Sequence, residues 1–167
     1  MPIPNFVTGG ILPTGIHDCD LTEIEASFVY NNKRQSVWDS FMFYLSQIVV
    51  ITEVNIVYVD GSFTTDKESF ADNGEPPNDV DIVLEFADFQ TVNLLFLQYP
   101  HLLHHDTVKQ NYNVDLWIWA AGVKNDLREF FQYLRPEEAM NRNVPAGTRK
   151  GVLRISLDNE RQRQTIK

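Results

Sequence analysis

The chain has 167 residues, 43% of them hydrophobic and 12% aromatic, and a net charge of −9. That composition fits one folded domain, 1–167, large enough to bury a core of its own. No apolar stretch is long and uninterrupted enough to cross a bilayer, no basic segment leads into an apolar one near Met1, and the single cysteine, Cys19, excludes an intrachain disulfide. The expected setting is a reducing cytoplasm, with no membrane partner. The acidity argues against a broad basic surface for duplex nucleic acid, yet it is uneven: residues 1–123 carry 17 acidic and four basic side chains, residues 124–167 six and ten. The basic part offers a place to meet RNA, a phosphate-bearing substrate or an acidic partner, or is simply a solvated face.

In chain order, residues 1–20 are rich in Gly, Pro and Asp and read as an extended, surface-lying segment. "LTEIEASFVY" offers Thr22 as an N-cap with Glu25 three residues on, and predicts a short helix. From Arg34 to Ile48 the apolar positions Val37, Phe41, Tyr44, Leu45 and Ile48 recur at three- and four-residue steps, which predicts a helix with one buried stripe. "VNIVYVDG" reads as a buried strand closed by Gly61. A polar loop with Asn-Gly and Pro-Pro follows, expected to be mobile over about 64–78 and to hold a turn of helix after Ser62. "DVDIVLEF" alternates: Asp79, Asp81, Val83 and Glu85 face one way, and Val80, Ile82, Leu84 and Phe86 face the core. "FADFQTVNLLFLQYP" predicts a helix ended by Pro100, and "YNVDLWIWA" a strand with Asp115 opposite Val114, Leu116 and Ile118. "KNDLREFFQYL" predicts a last helix stopped near Pro136, "GVLRISL" a short strand, and 158–167 a frayed tail.

Two carboxylates at i and i+2 on one strand point the same way, and like charges repel, so Asp79 and Asp81 at the entrance of an apolar run call for a compensating partner. A third carboxylate, Asp115, on a neighbouring strand would complete an oxygen-donor set suited to Mg²⁺ or Mn²⁺, which leave positions for phosphate oxygens. Gly61 and Ser62 supply the complement: backbone without a Cβ admits a polyphosphate closely, and the following N–H groups and the serine hydroxyl can donate to it. Lys67, in the loop, is within reach of the same phosphates or merely solvated. His101, His104, His105 and Asp106 have spacings compatible with a transition metal, but fall after Pro100 in an expected loop. Trp117 and Trp119 share the Asp115 face, available either to stack on a base or to pack in a core or interface.

A strand ending in Gly61-Ser62, then "DVDI" at Asp79–Ile82, then Asp115 in "VDL", resembles the DNA polymerase beta-type nucleotidyltransferase superfamily. The whole chain, from "LPTGIHDC" to "RKGVLRI", is similar to a small bacterial and phage-borne nucleotidyltransferase-like group. The resemblance implies an α/β (α+β) fold: a small mixed, twisted sheet with carboxylates on one side and helices on the other. It further implies that Gly61 and Ser62 hold the β- and γ-phosphates of an NTP, that Asp79 and Asp81 ligate Mg²⁺, and that Asp115 helps activate the acceptor hydroxyl. The sixteen residues between Ser62 and Asp79 exceed the spacing usual in that superfamily, which leaves open the short helix that normally begins at the serine.

The expected function is Mg²⁺-dependent transfer of a nucleoside monophosphate from an NTP to a hydroxyl on a protein side chain, a tRNA end or a small molecule. A chain this short has no room for the domains with which a polymerase grips a template. The alternative is an antitoxin-like or defence-associated protein that keeps the fold and masks a partner such as a toxin.

Overall fold

The computed structural model describes residues 2–165. Its elements in chain order are β1 (Gly15–Asp18), α1 (Leu21–Phe28), α2 (Asn32–Ile48), β2 (Ile56–Asp60), a 3₁₀ turn (Ser62–Thr64), β3 (Val80–Phe86), α3 (Phe89–Gln98), α4 (Pro100–Leu103), α5 (His105–Tyr112), β4 (Val114–Ala120), α6 (Leu127–Phe130), α7 (Pro136–Asn141), β5 (Gly151–Ser156) and α8 (Leu157–Thr165). The strands form one mixed sheet in the order β1-β5-β2-β3-β4. The outer pairs, β1 with β5 and β3 with β4, run parallel, and β2 runs antiparallel to both of its neighbours. The expected α+β architecture, a small mixed sheet with flanking helices, is therefore the observed one.

The alternation in "DVDIVLEF" decides the two faces. Val80, Ile82, Leu84 and Phe86 lie in the main core with Val57, Val59, Leu153 and Ile155 from the neighbouring strands, and α2 covers them with Trp38, Phe41, Tyr44 and Ile48. The opposite face is not left to the carboxylates alone. Tyr58, Val83 and Val152 form a second, smaller cluster there, covered in part by Leu127, Phe131 and Trp119. Burial on both faces anchors β2 and β3 and leaves polar side chains at one end of the sheet, where the acidic residues stand.

Several local expectations are corrected. Helix α1 is capped by Asp20, not Thr22: Asp20 accepts from the Glu23 N–H at 2.9 Å and Glu23 accepts from the Asp20 N–H at 2.9 Å, a complete capping box. This frame turns Ile24 and Phe28 into the core. The N-terminal segment is more than surface chain, because Ile11 and Leu12 are buried and Gly15–Asp18 pairs with β5. The helix expected to end at Pro100 does end there, at Gln98, but Pro100 also starts α4, and Pro136 starts α7 instead of ending a helix, since proline at the first helical position gives up an N–H that has no partner there anyway. His101 is thus helical and His105 opens α5, and the helix predicted in "KNDLREFFQYL" shrinks to Leu127–Phe130 followed by turns. Where a frayed tail is expected at 158–167, α8 runs through Leu157–Thr165, and Arg161 ties it down by donating to the carbonyls of Val49, Ile51 and Val54. Ile166 and Lys167 lie outside the described residues.

The loop after the 3₁₀ turn is pinned at its root. Arg34, fully buried near the start of α2, donates to the carbonyls of Phe63 (2.6 Å) and Thr65 (2.8 Å) and makes two hydrogen bonds to Glu68 at 2.7 and 2.8 Å. A buried guanidinium needs such a full set of acceptors. The root of the 64–78 loop is therefore held to α2, and residues 72–75 of its outer part are exposed.

Candidate functional site

Register brings the carboxylates together. Asp60, the last residue of β2, stands opposite Asp81 of β3, and Asp81 stands opposite Asp115 of β4. Directly opposed residues project to the same face, so three aspartates form a row across three adjacent strands, with Asp79 one step before β3. Gly61 and Ser62 close β2 beside this row, and all six residues line one cleft of about 730 Å³. Lys67 lines it too, with its ammonium donating to the Pro76 carbonyl at 3.3 Å.

Gly61 is required twice over. Its φ of +80° lies in the left-handed region, and a Cβ there would overlap the Asp81 carboxyl. The backbone thus presses directly against the central carboxylate, and the 3₁₀ turn begins at Ser62, where the resemblance places a helix start. The Thr65 N–H and hydroxyl donate to the Ser62 carbonyl, which orients that turn.

The four carboxylates are not equivalent. Asp60 is buried and paired with the Lys150 ammonium at 2.8 Å; burial nevertheless holds its carboxyl above the ordinary range against the pull of Lys150. Asp81 is pushed up to about 7, by burial first and then by the charges of Asp79, Asp60 and Asp115, with Lys150 pulling the other way. Asp115 is held the other way: although burial raises it, hydrogen bonds from Lys109 (2.8 Å) and His105 (2.7 Å) bring it below the ordinary value. The Lys109 ammonium also lies 3.2 Å from Asp79, so one cation bridges two of the predicted ligands. His105 in turn bonds Asp106 at 2.9 Å, and these two carboxylates raise the imidazole.

The predicted residues therefore share one cleft, but their side chains are not drawn into a finished metal cage. Among the described residues no group of three or more His, Cys, Asp or Glu stands in a ligating arrangement. The spacing of His101, His104, His105 and Asp106 resolves without a metal: His105 serves Asp115 and Asp106, and His104 contacts the Thr107 hydroxyl at 3.3 Å. The acidic row is nonetheless an all-oxygen donor set with a buried carboxylate close to neutrality in pKa, which fits a hard divalent cation better than a soft one.

Three residues that sequence reasoning passed over belong to the site, Asp60, Lys109 and Lys150, and His105, considered there only within a transition-metal set, belongs to it as the partner of Asp115. Asp60 precedes Gly61 and lay in plain view in "VYVDG". Lys109 is one of only four basic residues before position 124, six places ahead of Asp115. Of the two tryptophans, Trp119 has its ring face covered by the Arg128 guanidinium 3.9 Å from the centroid, which removes it from base stacking. Trp117 is packed edge-on against His105 and Phe131. Beyond it a second cavity of about 470 Å³ lies along β4, with Phe89, Val92, Phe96 and Leu116 in its wall.

The remaining wall of the acidic cleft mixes Arg135, Arg142 and Lys150 with Glu137 and Glu138 and includes the aromatic rings of Phe130, Phe131 and Tyr133. Among the described residues no helix is long and apolar enough to cross a membrane. The sequence pattern of a family described as of unknown function, DUF6932, matches residues 4–156. No curated protein and no solved structure matches the chain.

Proposed function

The chain belongs to the DUF6932 family, and we propose that it is a nucleotidyltransferase that moves a nucleoside monophosphate from an NTP to a hydroxyl acceptor. The observation that carries this reading is the registered row Asp60, Asp81, Asp115 across β2, β3 and β4, with Asp79 before it and the Gly61-Ser62 turn against its centre. Acidic residues on a strand repel, and a row of them at a cleft is favourable only where a cation or a proton balances them. Asp79, Asp81 and Asp115 would hold Mg²⁺ or Mn²⁺, which when bound neutralises phosphate charge and favours in-line displacement at phosphorus.

The chain's own residues supply the rest. Gly61, whose positive φ ends β2 tight against Asp81, leads the chain into the 3₁₀ turn, where the Ser62 hydroxyl and the N–H groups of the turn would donate to the triphosphate oxygens. Lys67 and Arg135 stand on the cleft wall where the departing pyrophosphate would need positive charge. Asp115 would help activate the acceptor hydroxyl, oriented by its hydrogen bonds from His105 and Lys109. Phe130 and Tyr133, exposed at the mouth of the cleft, are placed to meet an apolar or aromatic part of either substrate.

Each of the four NTPs, labelled at the α-phosphate, should be incubated with the purified protein, Mg²⁺ and a cell lysate as acceptor source. The reading predicts label on one class of acceptor with one preferred NTP. No labelled product with any NTP, in Mg²⁺ or Mn²⁺, contradicts it and favours action by masking a protein partner.

A further inference from the structure

The acidic site already contains a cation, and it is covalently part of the chain. The Lys109 ammonium lies 2.8 Å from Asp115 and 3.2 Å from Asp79. It projects from α5, which leads directly into β4, so its backbone is held close to the carboxylates it serves. His105, one helical turn earlier on the same helix, takes the other oxygen of Asp115 at 2.7 Å. Both oxygens of Asp115 are thereby committed to side chains of α5, while Asp81, between Asp60 and Asp115 in the row across the strands, shares in neither bond.

We propose that Lys109 is a tethered counter-ion that keeps the acidic site neutralised at rest, and that a divalent cation enters only by displacing its ammonium from Asp79 and Asp115. The inference rests on the metal reading of this site and adds its regulation. An ammonium between two carboxylates and a divalent ion between the same two compete for the same oxygens, because each carboxylate lone pair directed at one is withdrawn from the other. Lys109 is also suited to moving aside. Its side chain is about half exposed, so the freed ammonium returns to water or to the phosphates of an incoming nucleotide at little desolvation cost. A nucleotide would therefore assist metal entry by giving Lys109 another anion to pair with, and metal and nucleotide should bind cooperatively.

The test is Mn²⁺ binding, read as free Mn²⁺ by electron paramagnetic resonance, on the full chain and on Lys109→Ala, Lys109→Met and Lys67→Ala. Both Lys109 variants should bind Mn²⁺ at least about tenfold more tightly than the parent, and Lys67→Ala should not, since Lys67 lines the cleft but contacts the Pro76 carbonyl. Adding a non-hydrolysable NTP should tighten Mn²⁺ binding in the parent and much less in the Lys109 variants. Thermal melting without metal establishes that each variant is folded. Equal affinity in the parent and both Lys109 variants overturns the inference while leaving the metal reading intact, and so does a loss of affinity. An equal gain in Lys67→Ala reduces the effect to general charge and also overturns it. If neither the parent nor the Lys109 variants bind Mn²⁺, with or without nucleotide, the metal reading fails together with the inference.

Discussion

Replacing Asp81 by Asn tests the electrostatics of the site without any assumption about catalysis. The folded protein holds the Asp81 carboxyl at about 7 against an ordinary 3.8, through burial and then through Asp79, Asp60 and Asp115. At about 1.36 kcal/mol per tenfold change in proton affinity, that difference corresponds to roughly 4 kcal/mol. Because the cleft is open to water and the carboxylates can move apart, about 2 kcal/mol is the working figure. The sign follows from linkage: a folded-state pKa above the unfolded one stabilises the protein fully below about pH 4, and this contribution is lost as pH rises to about 7. Asparagine has nearly the same shape and no charge. In urea unfolding without metal, Asp81→Asn should match the parent near pH 4 and exceed it in stability by about 2 kcal/mol at pH 8, the gap opening between those values. Comparing the two proteins at each pH cancels the titrating groups that are not coupled to Asp81. A variant less stable than the parent at pH 8, or a gap that does not change with pH, would refute the reasoning.

Gly61→Ala should destabilise by about 2 kcal/mol or more and distort the cleft, because its φ of +80° and the Asp81 carboxyl both oppose a Cβ; a melting curve unchanged within a degree contradicts this. Arg34→Met should cost about 3–5 kcal/mol, since it takes the ion pair from Glu68 and the guanidinium donors from the Phe63 and Thr65 carbonyls, and limited proteolysis should then cut within 64–78; a chain still resistant there counts against the pinning of that loop. Glu68 itself is held down to about 2, with burial opposing and the Arg34 hydrogen bond prevailing, so its contribution is complete above pH 4.5 and lost as pH falls toward 2; Glu68→Gln should remove that part of the acid transition. Lys150→Met should destabilise by about 3 kcal/mol by stranding buried Asp60, and the added change Asp60→Asn should recover most of it, which a double-mutant cycle measures. Mg²⁺ with the preferred NTP should raise the melting temperature of the parent and not that of Asp81→Asn.

The parts of the fold legible in the sequence are those written in short-range patterns. The alternation of Val80, Ile82, Leu84 and Phe86 against Asp81 and Glu85 marks both strand and face, and the three- and four-residue steps from Val37 to Ile48 mark α2. β1 was illegible because Gly15–Asp18 has no apolar alternation, and its pairing is supplied by β5, far along the chain. Pro100 does mark the end of α3, but that it and Pro136 also begin helices was illegible, because a proline can close one helix and open the next, and the opening depends on what packs afterwards: Leu102 and Leu103 in α4 and Ala139 in α7 are buried. In "DCDLTEIE" two capping boxes overlap, and the one that forms is at Asp20, which the sequence pattern alone does not distinguish.

The same distinction holds at the site. Asp79, Asp81 and Asp115 were found by strand position and sequence order, and the parallel register of β3 with β4 then sets Asp81 beside Asp115. Their partners could not be read that way. Lys150 reaches Asp60 across 90 positions of sequence, and whether Lys109 faces Asp115 depends on how α5 turns into β4. A lysine near an aspartate in sequence is common; a lysine bridging two aspartates is a fact of tertiary structure.

The most direct measurement of the central claim compares one NTP labelled at the α-phosphate with the same NTP labelled at the γ-phosphate, each incubated with the parent protein, its acceptor and Mg²⁺. Nucleotidyl transfer predicts that the α-label becomes attached to the acceptor, that the γ-label appears in pyrophosphate, and that Asp81→Asn abolishes both while remaining folded. Transfer of the γ-label to the acceptor, or α-labelling that persists in Asp81→Asn, would contradict the account.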